Sequence, residues 1–200
     1  MITALALATV AAVVAALTGV VRRLALRHEL IDVPNQRSSH EAPTPRGGGI
    51  AIVAGIALAW TAAALSGAAS VDAALVLLLP GLTIAVVGFV DDRAHVAARW
   101  RLVVHLVAAG IVTLWTGGLG YLVLPGHVIE LGWAGSALAL LGIIWMTNLF
   151  NFMDGIDGLA AGHAVVASAF LGGFGLAVGD AVMGWGGLLI AMTALGFLLL

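Results

Sequence analysis

The sequence predicts an all-α polytopic integral membrane protein, and three observations carry that prediction. Of its 200 residues, 62% are hydrophobic and 9% charged, with a mean hydropathy of +1.15. A soluble globular domain carries about 25% charged residues. The apolar residues fall in runs near the roughly 20 that cross the hydrocarbon core of a bilayer. All eight basic residues are arginine, and they gather in alternate loops, as expected where short cytoplasmic loops collect positive charge.

About seven transmembrane helices are expected. The first apolar run covers 2–21. Arg22 and Arg23 follow it instead of preceding it, and it lacks the cleavage site of a secretory signal. It is therefore read as a retained span with the N-terminus outside. The loop 22–48 holds Arg22, Arg23, Arg27, Arg37 and Arg46, and the second run covers 49–65. The third, 73–90, contains Pro80-Gly81 and leads into a loop at 91–101 that carries Arg93, Arg99 and Arg101. A fourth run at 102–115 and a fifth at 135–150 flank GGLGYLVLPGHVIELG at 117–132. Two aliphatic stretches around Pro125-Gly126 make that segment a short external hairpin. The sixth and seventh runs cover 159–178 and 183–200.

With the N-terminus outside, every arginine faces the cytoplasm, and the opposite loops hold only Asp72, Glu130 and Asp180. Losing one span would scatter the arginines, so the charge pattern supports the helix count. Trp60, Trp115, Trp133 and Trp185 lie near predicted span ends, where an aromatic belt explains them. No repeat, low-complexity tract or linker divides the chain, which is taken as one transmembrane domain over 1–200. The last run stops at Leu200 with no polar tail, and the expectation is that the natural chain continues. Without cysteine there is neither a disulfide framework nor a thiolate metal site.

Three cytoplasmic loops hold the chemistry. The first is rich in proline, serine and glycine and is expected to be irregular and extended. It delivers Arg46 and then Gly47, Gly48 and Gly49 to the start of the second span. A helix N-terminus with glycines that admit an anion close to the backbone makes a phosphate seat. Ordinary positive-inside arginines explain the loop equally well. In the second loop, Asp91 and Asp92 follow the third span, at a helix end whose macrodipole favours cations. Arg93, Arg99 or Arg101 could compensate them, and so could a divalent cation, since hard ions take carboxylate oxygens together with substrate phosphates. The third loop reads NLFNFMDGIDGL, placing Asn148, Asn151, Asp154 and Asp157 three residues apart. That spacing shares one helix face, although Gly155 and Gly158 favour a turn after Phe152. Either geometry gathers four oxygen-bearing side chains at one mouth, toward which the sixth span aims its N-terminal dipole. His105 and His163 lie one turn inside predicted spans and are read as satisfied packing residues. His40 and His95, in the loops, are the better functional candidates.

The combination of PTPRGGG, the acid pair in VGFVDDR and NLFNFMDGIDGLAAG resembles the polyprenyl-phosphate N-acetylhexosamine-1-phosphate transferases, over roughly residues 31–162. The family includes the phospho-N-acetylmuramoyl-pentapeptide translocase of peptidoglycan synthesis, and RSSHEAPTPRGGG is closer to the branch that begins O-antigen units. The resemblance implies a phosphoglycosyltransferase of the bacterial plasma membrane, with its active site cytoplasmic. It would move N-acetylhexosamine 1-phosphate from a UDP-sugar to undecaprenyl phosphate, release UMP and require Mg²⁺, with Mn²⁺ as the alternative ion. Matched by motif, Asp91 and Asp92 correspond to the pair that engages the lipid phosphate, with Asp91 favoured as proton acceptor. Asp154 corresponds to an essential carboxylate. Asn151 corresponds to a metal ligand, with Asp92 beside it, and Asp157 to a nucleotide-base contact. Arg46, Gly48 and Asn148 complete the substrate-binding set. The implied partners are undecaprenyl phosphate, a UDP-N-acetylhexosamine and the lipid bilayer, with no nucleic acid and with a homodimer left open.

One departure matters. The resembled family continues with a Met-Gly-Asp-type loop that supplies another metal-binding aspartate, then with a histidine-containing loop. Neither motif is present in these 200 residues. The resemblance therefore implies the N-terminal portion of a longer transferase, inactive or nearly so on its own. Two alternatives come from other classes: a transporter built around a helix broken at Pro80-Gly81, and a non-catalytic truncated membrane partner. Transporters place ionisable groups near the bilayer midplane, whereas here they gather at one face.

Overall fold

The computed structural model describes residues 2–28, 31–32, 44–45, 47–94, 96–153, 156 and 158–200. Seven helices account for most of them: α1 (Ile2–Arg27), α2 (Gly49–Leu65), α3 (Val71–Ala94), α4 (Ala98–Thr116), α5 (Gly132–Met153), α6 (Leu159–Val178) and α7 (Ala181–Leu198). Six of these are long and apolar enough to cross a membrane, and α2, at 17 residues, is a shorter apolar helix. The expected all-α membrane architecture with seven helices is what the chain adopts.

Two pairs of short strands accompany the helices. β1 (Ile31–Asp32) pairs antiparallel with β2 (Thr44–Pro45), which closes the base of a loop expected to be irregular and mostly extended. β3 (Tyr121–Leu124) and β4 (His127–Glu130) form the expected hairpin, with Leu124 opposite His127. Its turn is Pro125-Gly126, and Gly126 has φ of 78°, as the third residue of a type II turn requires. The base is fastened to the start of α5. Leu131 N–H donates to the Gly120 carbonyl at 3.0 Å, and a Cβ on Gly135 would collide with the Leu119 carbonyl.

The chain divides into two compact units, one of residues 1–74 with 153–200 and the other of 75–152. In the first, glycine is what lets helices meet. A Cβ on Gly55 of α2 would strike Val14 of α1, and one on Gly196 of α7 would strike the Ala11 carbonyl. Val14 and Thr193 are fully buried at this centre. Between α6 and α7, a Cβ on Gly172 would lie 2.8 Å from the Leu188 nitrogen, and one on Gly187 would lie 2.6 Å from the Gly172 nitrogen. Apolar lipid offers no hydrophobic drive for helices to associate, so close backbone approach through small residues supplies the attraction. The connection between these helices is equally tight. Gly179 ends α6 in the left-handed region, and the Asp180 carboxylate caps α7 by accepting from Met183 N–H at 2.9 Å.

Two expectations need correction, and the rival reading of a helix broken at Pro80-Gly81 loses its basis. Trp60 is not part of an aromatic belt: it is 3% exposed, and its ring fills the space left by Gly186 of α7. Trp115, Trp133 and Trp185 are exposed, as a belt requires. Pro80-Gly81 does not break the third span, because α3 runs through both; a spanning helix can absorb the loss of one backbone bond. The loop at 91–101 is also much shorter than hydropathy suggests. α3 continues to Ala94 and α4 begins at Ala98, since alanine and arginine are strong helix formers however polar the neighbourhood.

Candidate active site

At the first loop, Arg46 lies outside the described residues, and the glycines after it lie within them. Gly47 has φ of 92°, a value that suits glycine alone, and Gly48 occupies the cap of α2 with no side-chain capping bond. The N–H groups of Ile50 and Ala51 turn back to the carbonyls of Gly47 and Gly48, each at 3.1 Å. A Cβ on Gly48 would sit 2.6 Å from the ring of Phe197. Gly48 thus has a packing reason to be glycine, and its backbone is what remains for an anion. His40 lies outside the described residues.

At the second loop the acid pair occupies the last turn of α3, and its two members differ in exposure. Asp91 is half-buried and engaged on both oxygens. Val96 N–H donates to Oδ1 at 2.8 Å, and Arg101 Nη1 lies 2.6 Å from Oδ2. The two donors come from the start of α4 and the residues just before it, so one carboxylate ties the end of one helix to the beginning of the next. Their positive character offsets the unfavourable position of an acid at a helix C-terminus. Asp92, next along, is exposed.

The arginines divide accordingly. Arg93 folds back on its own helix, where its Nη1 donates to the Phe89 carbonyl at 3.2 Å and its guanidinium lies 3.5 Å from the centre of the Phe89 ring. This is a cation–π contact that also suits a helix C-terminus. Arg99 is exposed on the first turn of α4. The sequence left three arginines as candidates to compensate the pair, and the structure selects Arg101 for Asp91. The Val96 N–H has no counterpart in the sequence reading, because a backbone donor leaves no mark on residue type.

At the third loop, α5 runs through Asn148 and Asn151 and stops at Met153, which bears out the expected turn after Phe152. Asn148 donates from Nδ2 to the Ile144 carbonyl of its own helix at 2.8 Å, and both asparagines are exposed. The chain then turns. Ile156 N–H donates to Met153 O and Leu159 N–H to Ile156 O, both at 3.1 Å. Gly158, with φ of 70°, caps α6. Asp154 and Asp157 lie outside the described residues, as does His95. In the span itself, His105 is 7% exposed, as a packing residue should be, and its Nδ1 has no hydrogen-bond partner among the described residues. His163 is exposed.

Among the described residues no group of three or more histidine or acidic side chains is gathered as a metal site. Asp92 and Asn151 nevertheless offer a carboxylate and an amide oxygen, both open to water. Hard divalent cations take oxygen donors of this kind and keep several waters, so the donor chemistry fits the expected ion.

Comparison with known proteins places these loops in context. Residues 74–200 match the sequence profile of glycosyl transferase family 4, a stretch that contains the acid pair, both asparagines and Asp154 and Asp157. Over 184 residues the chain is 29% identical to a probable undecaprenyl-phosphate N-acetylglucosaminyl 1-phosphate transferase of Bacillus subtilis strain 168, covering 91% of this chain and 51% of that protein. It is 34% identical over 155 residues to the undecaprenyl-phosphate alpha-N-acetylglucosaminyl 1-phosphate transferase of Salmonella typhi, covering 76% of this chain and 41% of the relative. It is also 34% identical over 160 residues to the decaprenyl-phosphate N-acetylglucosaminephosphotransferase of Mycobacterium tuberculosis strain H37Rv, covering 76% and 40%. The chain spans about half the length of these curated relatives.

Proposed function

The chain belongs to glycosyl transferase family 4, and from that premise we propose that it serves the transfer of N-acetylhexosamine 1-phosphate from a UDP-sugar to undecaprenyl phosphate. An oxygen of the lipid phosphate attacks the sugar-bearing phosphorus of the donor. The bond from that phosphorus to the bridging oxygen breaks, and UMP leaves. The product begins a lipid-linked surface glycan of the O-antigen type, assembled on the cytoplasmic face of the bacterial plasma membrane. The observation that carries this reading is the family match across a stretch that holds the acid pair and the whole Asn-Asp string.

Phosphoryl transfer between two anions is chiefly a matter of positioning and charge neutralisation. In this reading Asp91, Asp92 and Asp154 are the catalytic carboxylates. Arg46, the backbone at Gly48, Asn148 and Asp157 hold the substrates. Asn151 and Asp92 would hold Mg²⁺, or Mn²⁺ in its place, which when bound supplies positive charge to the diphosphate.

The test is transfer of labelled sugar phosphate from UDP-N-acetylglucosamine, and from the corresponding galactosamine donor, to undecaprenyl phosphate in membranes of its own cells, where the protein is present as it naturally occurs. Activity lost to a chelator and restored by Mg²⁺, and reduced at least 100-fold by Asp92→Asn at unchanged protein level, is the expected result. Turnover indifferent to Asp92→Asn would make the chain a scaffold instead.

A further inference from the structure

Resting on the transferase reading above, we infer that Arg101 is a positioning residue for the reaction and acts through Asp91. One donor on one oxygen would leave the Asp91 carboxylate free to rotate about its terminal torsion. Here Val96 N–H holds Oδ1 and Arg101 holds Oδ2, so both the place and the plane of the carboxylate are set. The pair is only 22% exposed at Asp91 and 32% at Arg101, which shields it from the water and salt that weaken surface pairs.

The neighbouring arginines are placed differently. Arg93 is committed to Phe89, and Arg99 stands exposed on α4, two residues before Arg101. A guanidinium has five N–H donors, and the bond to Asp91 takes one of them. Arg101 therefore fixes the carboxylate without being exhausted by it. Orientation of this kind matters because a displacement of about 1 Å in a reacting group costs on the order of 100-fold in rate.

The experiment is a double-mutant cycle in the protein as it occurs in its own membrane. Asp91→Glu, which keeps the charge but displaces it, is crossed with Arg101→Met, with Arg101→Lys and Arg93→Met as references. Sugar-phosphate transfer gives kcat and KM for the UDP-sugar, and detergent extracts give unfolding temperatures. Arg101→Met is expected to lower kcat at least 30-fold with KM changed less than threefold. Arg101→Lys should recover part of that loss, and Arg93→Met should stay within about twofold of the parent. On the Asp91→Glu background Arg101→Met should cost little more, because the orientation it protects is already lost. Losses that multiply would make Arg101 an independent substrate ligand and overturn the inference, as would an Arg101→Met protein with normal kcat. A parent protein that transfers nothing would sink the transferase reading. The clasp would then stand or fall on the unfolding temperatures, where additive shifts reject it and coupled shifts retain it.

Discussion

Arg101 and His105 lie one turn apart on α4 and are treated in opposite ways. The arginine is paired at 2.6 Å, whereas the histidine is buried with Nδ1 unpartnered among the described residues. A buried polar atom without a partner costs on the order of 1–3 kcal/mol. His105→Leu, similar in bulk and without the polar atoms, is therefore expected to raise the unfolding temperature in detergent by a few degrees, at roughly 2–4 °C per kcal/mol for a chain of this size. A fall of several degrees would show that the imidazole holds something. At this scale the sequence is informative about which residues matter. Ten acidic side chains in so apolar a chain must be placed where water or a partner meets them. Which arginine meets which acid is not legible, because Arg93, Arg99 and Arg101 are all near Asp91 along the chain. The choice is made by the course of the short turn between α3 and α4.

The helices show a similar division. Hydropathy locates each span but stops where apolar residues stop. α3 and α4 continue past that point, through Asp91, Asp92 and Arg99, because helix propensity survives at the membrane boundary. Hydropathy is equally blind to the purpose of glycine. Gly172 and Gly187 look like interruptions in apolar runs, yet they are where the backbones of α6 and α7 meet. Trp60 misleads for a related reason. Its place near a span end suggests a belt, and only its neighbour across the unit, Gly186, shows that it is core. Gly187→Val should separate α6 from α7, because its branch would enter the backbone of Gly172. The expected destabilisation is ~1–3 kcal/mol, measured by thermal unfolding in detergent, with Gly173→Val as the control because nothing lies within 4 Å of a Cβ there. Equal losses in the two variants would contradict the packing described.

For the whole molecule, the arginine distribution predicts an orientation that can be measured directly. The chain contains no cysteine, so single cysteines can be introduced without background. His127→Cys on the hairpin and Arg99→Cys on α4 are both at exposed positions. A membrane-impermeant maleimide added to spheroplasts should label the first and spare the second, and inverted vesicles should reverse the pattern. Labelling of both positions from one side would discard the seven-span orientation.

The first unit is assembled from the two ends of the described chain, with residues 75–152 intervening. Its centre joins Val14 and Ala11 of α1 and Gly55 and Trp60 of α2 to α7, and that has a consequence for biosynthesis. A ribosome delivers α1 and α2 to the bilayer long before α7 exists. Each can persist there alone, because a spanning helix satisfies its own backbone. For that interval the notch at Gly55 is only half complete, and the space for Trp60 beside Gly186 has not been made. The first two helices wait in lipid for the seventh, and an arrest of synthesis before Ala181 strands them without the partner that completes their core.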